Sequence, residues 1–157
     1  MSRASIEEAI PSGALIILDS SAILAYLVGR VAVSPAATYI IDELVRPGRN
    51  PAAISTVTVT ETLTRPFMVS GVAVDTAVAF LAHFPNLRVV AVDFDVAREA
   101  ARVRSRTGLR TPDALVLATA LMIDAHAIVA NDARWRTALA ALGTDLQLCH
   151  LDGHLPM

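Results

Sequence analysis

Lysine is absent from this chain: all thirteen basic residues are arginine. That excludes chemistry built on a lysine amine, such as the lysine-bearing phosphate loop and Schiff-base catalysis. Cysteine occurs once, at Cys149, so no intrachain disulfide forms and a cysteine-rich zinc site is excluded. Long apolar runs are missing too. Asp19, Asp113 and Asp124 interrupt them well short of the roughly 20 residues that a membrane span needs. The first ten residues, MSRASIEEAI, carry two glutamates and no apolar stretch, which argues against a signal peptide. A cytoplasmic protein with no membrane contact is expected. The net charge of −2 gives no global basic field.

What is present is apolar: 54% hydrophobic and 18% charged residues over 157 positions. This composition is that of one globular domain, long enough to bury a core without disulfides or a structural metal. There is no repeat, linker or low-complexity segment. Residues 1–12 read as a loosely attached N-terminal extension and 13–157 as the domain.

Short apolar runs at 14–18, 52–55, 87–92, 127–130 and 146–151 read as strands. Between them lie stretches with helical spacing at 20–29, 34–48, 72–84, 93–108, 111–125 and 133–143. Gly29 is placed to stop the first helix, Ser34 to cap the second, Asp93 or Asp95 to cap the fourth and Thr111 the fifth. Residues 55–67, STVTVTETLTRPF, are ambiguous. Thr and Val alternate as in a strand, yet positions 57, 59, 63 and 67 suit a helix face, and Pro66 disfavours a central strand. Alternating strands and helices, with strands apolar on both faces, imply a parallel sheet covered by helices on both sides.

In open parallel sheets, ligands bind beyond the carboxyl ends of the strands. Asp19 directly follows the first strand, and Asp132 follows the fourth. Glu61 lies about one and a half turns beyond the second strand if its stretch is helical. Asp113 opens a helix that leads into the fourth strand. Each has a local explanation as well. Asp19 and Asp113 suit helix starts, Asp132 a turn, and Glu61 a solvated helix face. Four converging carboxylates repel one another, so such a cluster needs a cation or raised pKa values. With oxygen ligands only, the cation is Mg²⁺ or Mn²⁺, and the site suits phosphodiester hydrolysis.

Taken together, four segments resemble the PIN-domain ribonucleases, especially the VapC-type toxins of toxin–antitoxin pairs. LDSSAILAYL is similar to their first acidic segment, with Asp19. ISTVTVTETLTRP is similar to the second, with Glu61, LRTPDALVLATAL to the third, with Asp113, and AIVANDARWR to the fourth, with Asp132. The ordered set spans roughly residues 14–151. The resemblance implies a three-layer α/β/α sandwich with a short, mostly parallel sheet. It places Glu61 on a helix. It implies a Mg²⁺- or Mn²⁺-dependent endoribonuclease in which Asp19, Glu61, Asp113 and Asp132 form the catalytic and metal site. Single-stranded or loop RNA is then the substrate, leaving 5′-phosphate and 3′-hydroxyl ends. It further implies a homodimer inhibited by a cognate antitoxin protein. Ser21 stands where a polar residue would steady the metal water or a carboxylate. The fourth segment departs from the pattern: Ala130 replaces a common Thr or Ser, and Asn131 is left to supply a polar contact.

Arg134 and Arg136, beside Asp132, are placed to touch RNA; Trp135 between them reads as a base-stacking or core residue. Arg98, Arg102 and Arg106 recur along one helix face, as a solvated side or a phosphate stripe. The four histidines show no ligand spacing. A HAD-type phosphatase is disfavoured because Ser21 stands where it expects a second Asp, and because lysine is absent. The alternative reading is a non-catalytic PIN-like module that binds RNA or protein. Such a module is expected to lose some of the acids, and all four are present.

Overall fold

The computed structural model of the protein describes residues 3–154. Five strands, β1 (Ile16–Leu18), β2 (Ala52–Ser55), β3 (Leu87–Val90), β4 (Ala127–Ala130) and β5 (Gln147–His150), form one sheet in the order β3-β2-β1-β4-β5. All four pairings are parallel. The three central strands are buried along their whole length, whereas edge strands β3 and β5 are partly exposed.

Strand alternation sorts side chains into two layers. Ile16, Leu18, Ala52, Ile54, Ala127 and Val129 join one core cluster. It is covered by α1 (Arg3–Ala9), α2 (Ser20–Val28), α3 (Ser34–Thr38) with its π-helical continuation Tyr39–Val45, and α5 (Gly71–His83). Ile17, Ile128 and Ala130 point the other way, under α6 (Phe94–Thr107), α7 (Thr111–Met122) and α8 (Arg134–Leu142). The fold is therefore the three-layer α/β/α sandwich expected, with the sheet parallel throughout. Cys149 is buried in the first layer, and burial pushes its thiol up to about 12, so it stays protonated and unreactive.

Residues 55–69 settle as a helix, α4 (Thr56–Val69), capped by Ser55, whose hydroxyl accepts from the Val57 amide at 3.4 Å. The threonines that suggested a strand are accommodated by bonding back one turn: Thr64 donates to the Thr60 carbonyl at 2.8 Å. Gly29 ends α2 in the left-handed conformation at φ 67°, where a Cβ is disfavoured. Asp93, not Asp95, caps α6 by accepting from the Val96 amide at 2.9 Å.

Three expectations are corrected. The N-terminal segment is not loosely attached: Arg3–Ala9 is helical, and Ile6 and Ile10 are fully buried, because their one-turn spacing gives this short stretch an apolar face. Residues 1, 2 and 155–157 of the expected extension and domain lie outside the described residues. Thr111 is not an N-cap. Arg110 holds that position without a side-chain cap bond, and Thr111 is already helical, with Pro112 in the first turn. Ser34 likewise sits inside α3. Its hydroxyl donates to the Ala25 carbonyl at 2.6 Å, tying α3 to α2.

Candidate active site

The carboxyl ends of β1, β2 and β4 lie side by side because these strands are adjacent and parallel. The chain leaves each of them into a segment bearing an acid. Asp19 is the N-cap of α2, and Glu61 lies on α4 directly after β2. Asp132 lies two residues beyond β4. Asp113 arrives from the opposite direction, in the first turn of α7, the helix that precedes β4.

Asp19 is the most enclosed of the four, with 6% of its surface exposed. Its Oδ2 accepts the Ser21 amide at 3.1 Å and the Ser21 hydroxyl at 2.5 Å. Burial raises its pKa, the Ser21 bonds oppose that, and the charge of Glu61 adds to it. Asp19 and Glu61 thus feel one another across the α2–α4 seam. On the other side, the Arg134 guanidinium binds Asp132 through Nε at 2.8 Å and through a second, shorter contact. Its Nη1 reaches Asp113 Oδ2 at 3.4 Å. That guanidinium holds the Asp132 carboxyl below its ordinary range. Arg110 Nε lies 3.2 Å from the same Asp113 oxygen. Arg134 also interacts with Asp19 electrostatically, so the four acids form one electrostatic neighbourhood.

Ser21 and Asn131 bind this rim together. The Ser21 hydroxyl accepts from the Asn131 amide at 2.9 Å while donating to Asp19. One serine thereby ties the end of β4 to the start of α2. Ala130, fully buried and apolar, faces the α6–α8 layer. Asn131 Oδ1 is buried without a hydrogen-bond partner. Ser21→Ala is expected to lower activity by about 10- to 100-fold, the range for removing a partner that orients a ligand. Near-wild-type activity would mean that Ser21 only joins the two elements.

Beside the acids runs a groove of about 660 Å³ whose walls include Ser21, Leu24, Val28, Arg65, Asn131 and Asp132. Arg65 was not foreseen. It follows Glu61 by four residues, one helical turn, a relation visible only once 56–69 is read as a helix. Arg136 is exposed. Trp135 is buried in the core, which removes it as a base-stacking residue. Arg98 pairs with Asp95 and Arg102 with Glu99, each one turn earlier on α6, so this face behaves as a solvated, charge-matched side.

The donor set fits a hard divalent cation. It consists of carboxylate oxygens and an unpartnered amide oxygen, and the Asp19–Glu61 side is short of positive charge. Among the described residues, no three His, Cys, Asp or Glu side chains converge closely enough to hold one ion. Mg²⁺ usually retains several waters and takes only one or two carboxylates directly.

A PIN domain family model matches residues 16–139, and the chain belongs to that family. Solved structures agree on the fold. The Mycobacterium tuberculosis VapC20 structure, described as a sarcin–ricin loop cleaving toxin, superposes with a TM-score of 0.65 at 20% identity, covering 84% of this chain and 98% of that one. VapBC2 from Rickettsia felis, bound to a DNA fragment from its promoter, gives 0.64 at 12% identity, with 85% and 98% covered. A toxin–antitoxin complex from Klebsiella pneumoniae gives 0.61 at 18% identity, with 74% and 86% covered. Comparison with curated proteins returns no match.

Proposed function

We propose that this protein is a Mg²⁺- or Mn²⁺-dependent endoribonuclease and the toxin of a toxin–antitoxin pair. One observation supports the reading: acids from four separate segments stand along the carboxyl rim, with Asp19 enclosed and sensing the charge of Glu61, and Asp113 and Asp132 bridged by Arg134. PIN domain nucleases generally use divalent metal ions. Asp19, Glu61, Asp113 and Asp132 would hold the ion, directly or through water. When bound, it would activate the attacking water and stabilise the leaving oxygen of the phosphodiester.

The chain's own groups do the rest. Ser21 fixes the rotamer of Asp19, and the Asn131 amide fixes Ser21. The groove offers Arg65 to a phosphate and the apolar walls of Leu24 and Val28 to an unstacked base. Arg134 and Arg136, at the start of α8, would take backbone phosphates; the guanidinium fork suits such oxygens. Hydrolysis of this kind leaves 5′-phosphate and 3′-hydroxyl ends on single-stranded or loop RNA.

The partner reading is a cognate antitoxin and a second copy of the chain. Phe67, Met68, Val69 and Val72 expose a contiguous apolar patch where α4 turns into α5, the kind of surface that a protein partner covers. Among the described residues no helix is long and apolar enough to cross a membrane. We place the protein in the cytoplasm.

The test is direct. Purified protein is expected to cleave single-stranded RNA with Mg²⁺ or Mn²⁺ and to stop on addition of EDTA, and Asp113→Asn is expected to be inactive. Cleavage that persists in EDTA, or in Asp113→Asn, would overturn the assigned site. Binding of RNA with no cleavage under any divalent ion would favour the non-catalytic module.

A further inference from the structure

Arg134 does more at this rim than lie next to Asp132. Its guanidinium spans two acids that are 19 residues apart in sequence, Asp113 and Asp132, and its own amide also donates to Asp132 Oδ1 at 2.9 Å. Asp113 is only 13% exposed, and both of its recorded charge partners are arginines, Arg134 and Arg110. Asp19 and Glu61 have no comparable ion pair among the described residues. The ion pairs of the site are therefore concentrated on its Asp113–Asp132 half.

Among the described residues, the guanidinium is held only by the Asp113 and Asp132 carboxylates and reaches solvent. Half of the Arg134 side chain is exposed, and it springs from the first residue of α8. Behind it lies a hollow of about 260 Å³, lined by Thr107, Arg110, Arg134 and Thr137. A planar fork satisfies carboxylates and phosphates equally well, so the same group has two chemically equivalent destinations a short swing apart.

We propose that Arg134 is an exchangeable internal counter-ion, which competes with the divalent cation for Asp113 and Asp132 and, once displaced, binds the phosphate of the incoming RNA. This rests on the four-carboxylate reading above and adds its regulation. Metal and Arg134 cannot both take the same carboxylate oxygens at full strength. Loading the ion frees a guanidinium beside the scissile backbone, and RNA that captures the guanidinium favours loading. Metal and RNA binding then assist each other by thermodynamic linkage.

The experiment is a Mn²⁺ titration without RNA, read by calorimetry and by the Mn²⁺ paramagnetic signal. It uses wild type, Arg134→Gln, Arg134→Lys, and Arg98→Gln as a control for loss of one positive charge. Arg134→Gln is expected to bind Mn²⁺ about tenfold more tightly, within the usual range of coupling between linked ligands. Arg134→Lys should fall between it and wild type, and Arg98→Gln should match wild type. In parallel, Arg134→Gln should bind single-stranded RNA more weakly, with a salt dependence shallower by about one phosphate contact. Opposite shifts for metal and RNA are not the signature of a merely structural residue. Unchanged or weaker Mn²⁺ binding by Arg134→Gln, with wild type binding normally, overturns the counter-ion role and leaves the metal site standing. Equal tightening by Arg98→Gln overturns it too, since general charge would then be the cause. No Mn²⁺ binding by any of the four proteins overturns the metal reading itself.

Discussion

Asp19→Asn is expected to lose nuclease activity by on the order of 10³-fold, about 4 kcal/mol of transition-state stabilisation, while making the protein more stable in EDTA at neutral pH. The two effects share one cause. Asp19 is enclosed, and its carboxylate is charged against burial and against Glu61. Its folded pKa is therefore raised above the value of 3.8 for a free side chain. An acid whose folded pKa is raised contributes its full stability only when it is protonated in both states, below that unfolded value. The contribution is lost as pH rises through the folded pKa. Asparagine has no such loss, and its amide oxygen can still accept both Ser21 bonds. The melting-temperature difference between variant and wild type in EDTA should thus open as pH rises from about 4 towards 7 and vanish near pH 3. Each kcal/mol of it appears as roughly 2–4 °C in a domain of this size. In a bacterial host, induced wild type is expected to arrest growth and Asp19→Asn is not. An Asp19→Asn protein that cleaves RNA normally would show that the buried acid is structural. A melting temperature at or below wild type across this pH range would show that Asp19 carries no charge stress.

The layered fold was legible because burial leaves a plain mark on composition. β1, β2 and β4 are short, fully buried runs whose one polar residue, Ser55, is paired with Thr119 of α7, and they appear where the apolar runs lie. The α4 segment was not legible from periodicity. A Thr–Val alternation has a period of two whether or not a sheet is present to receive it. What decides the matter is tertiary: Thr58 and Thr62 pack inside one seam, while Val59 and Leu63 face the first core layer. Family resemblance supplied the helix where the local pattern could not.

For the site, the strand-end rule located Asp19 and Asp132 from position alone. Asp113 needed one further step, that a helix entering β4 starts at the rim where β4 ends. The charge arrangement was out of reach. Arg134 beside Asp132 is visible as adjacency in NDARWR, but its reach to Asp113 exists only because α7 and α8 begin at the same edge. Trp135 takes the core role of the two the sequence offered, and Ser21 steadies the Asp19 carboxylate while also joining β4 to α2, a link that sequence did not show.

Replacing both Ile6 and Ile10 with alanine is expected to destabilise the protein severely, although the family match begins only at residue 16. Each side chain is fully buried in the first core layer, alongside Cys149 and Leu151. Truncating a buried isoleucine to alanine costs about 2–5 kcal/mol, and a whole domain is held by about 5–15 kcal/mol. The two losses are not independent. They lie one turn apart, Ile6 on α1 and Ile10 just past its end with its amide on the Ile6 carbonyl at 2.8 Å, and removing the first loosens the turn that presents the second, so the sum is an upper bound. The polar ties are weaker. Glu7 accepts from the Tyr39 hydroxyl and pairs with Arg49 at 3.2 Å, and both contacts are open to solvent on one side. Glu7→Gln should therefore shift the urea midpoint little, and the double isoleucine variant should lower it by half or more. If instead the double variant unfolds at the wild-type midpoint, α1 does not add to the core. If it unfolds in two steps, with the second at the wild-type midpoint, α1 melts as a separate unit and the sandwich stands without it.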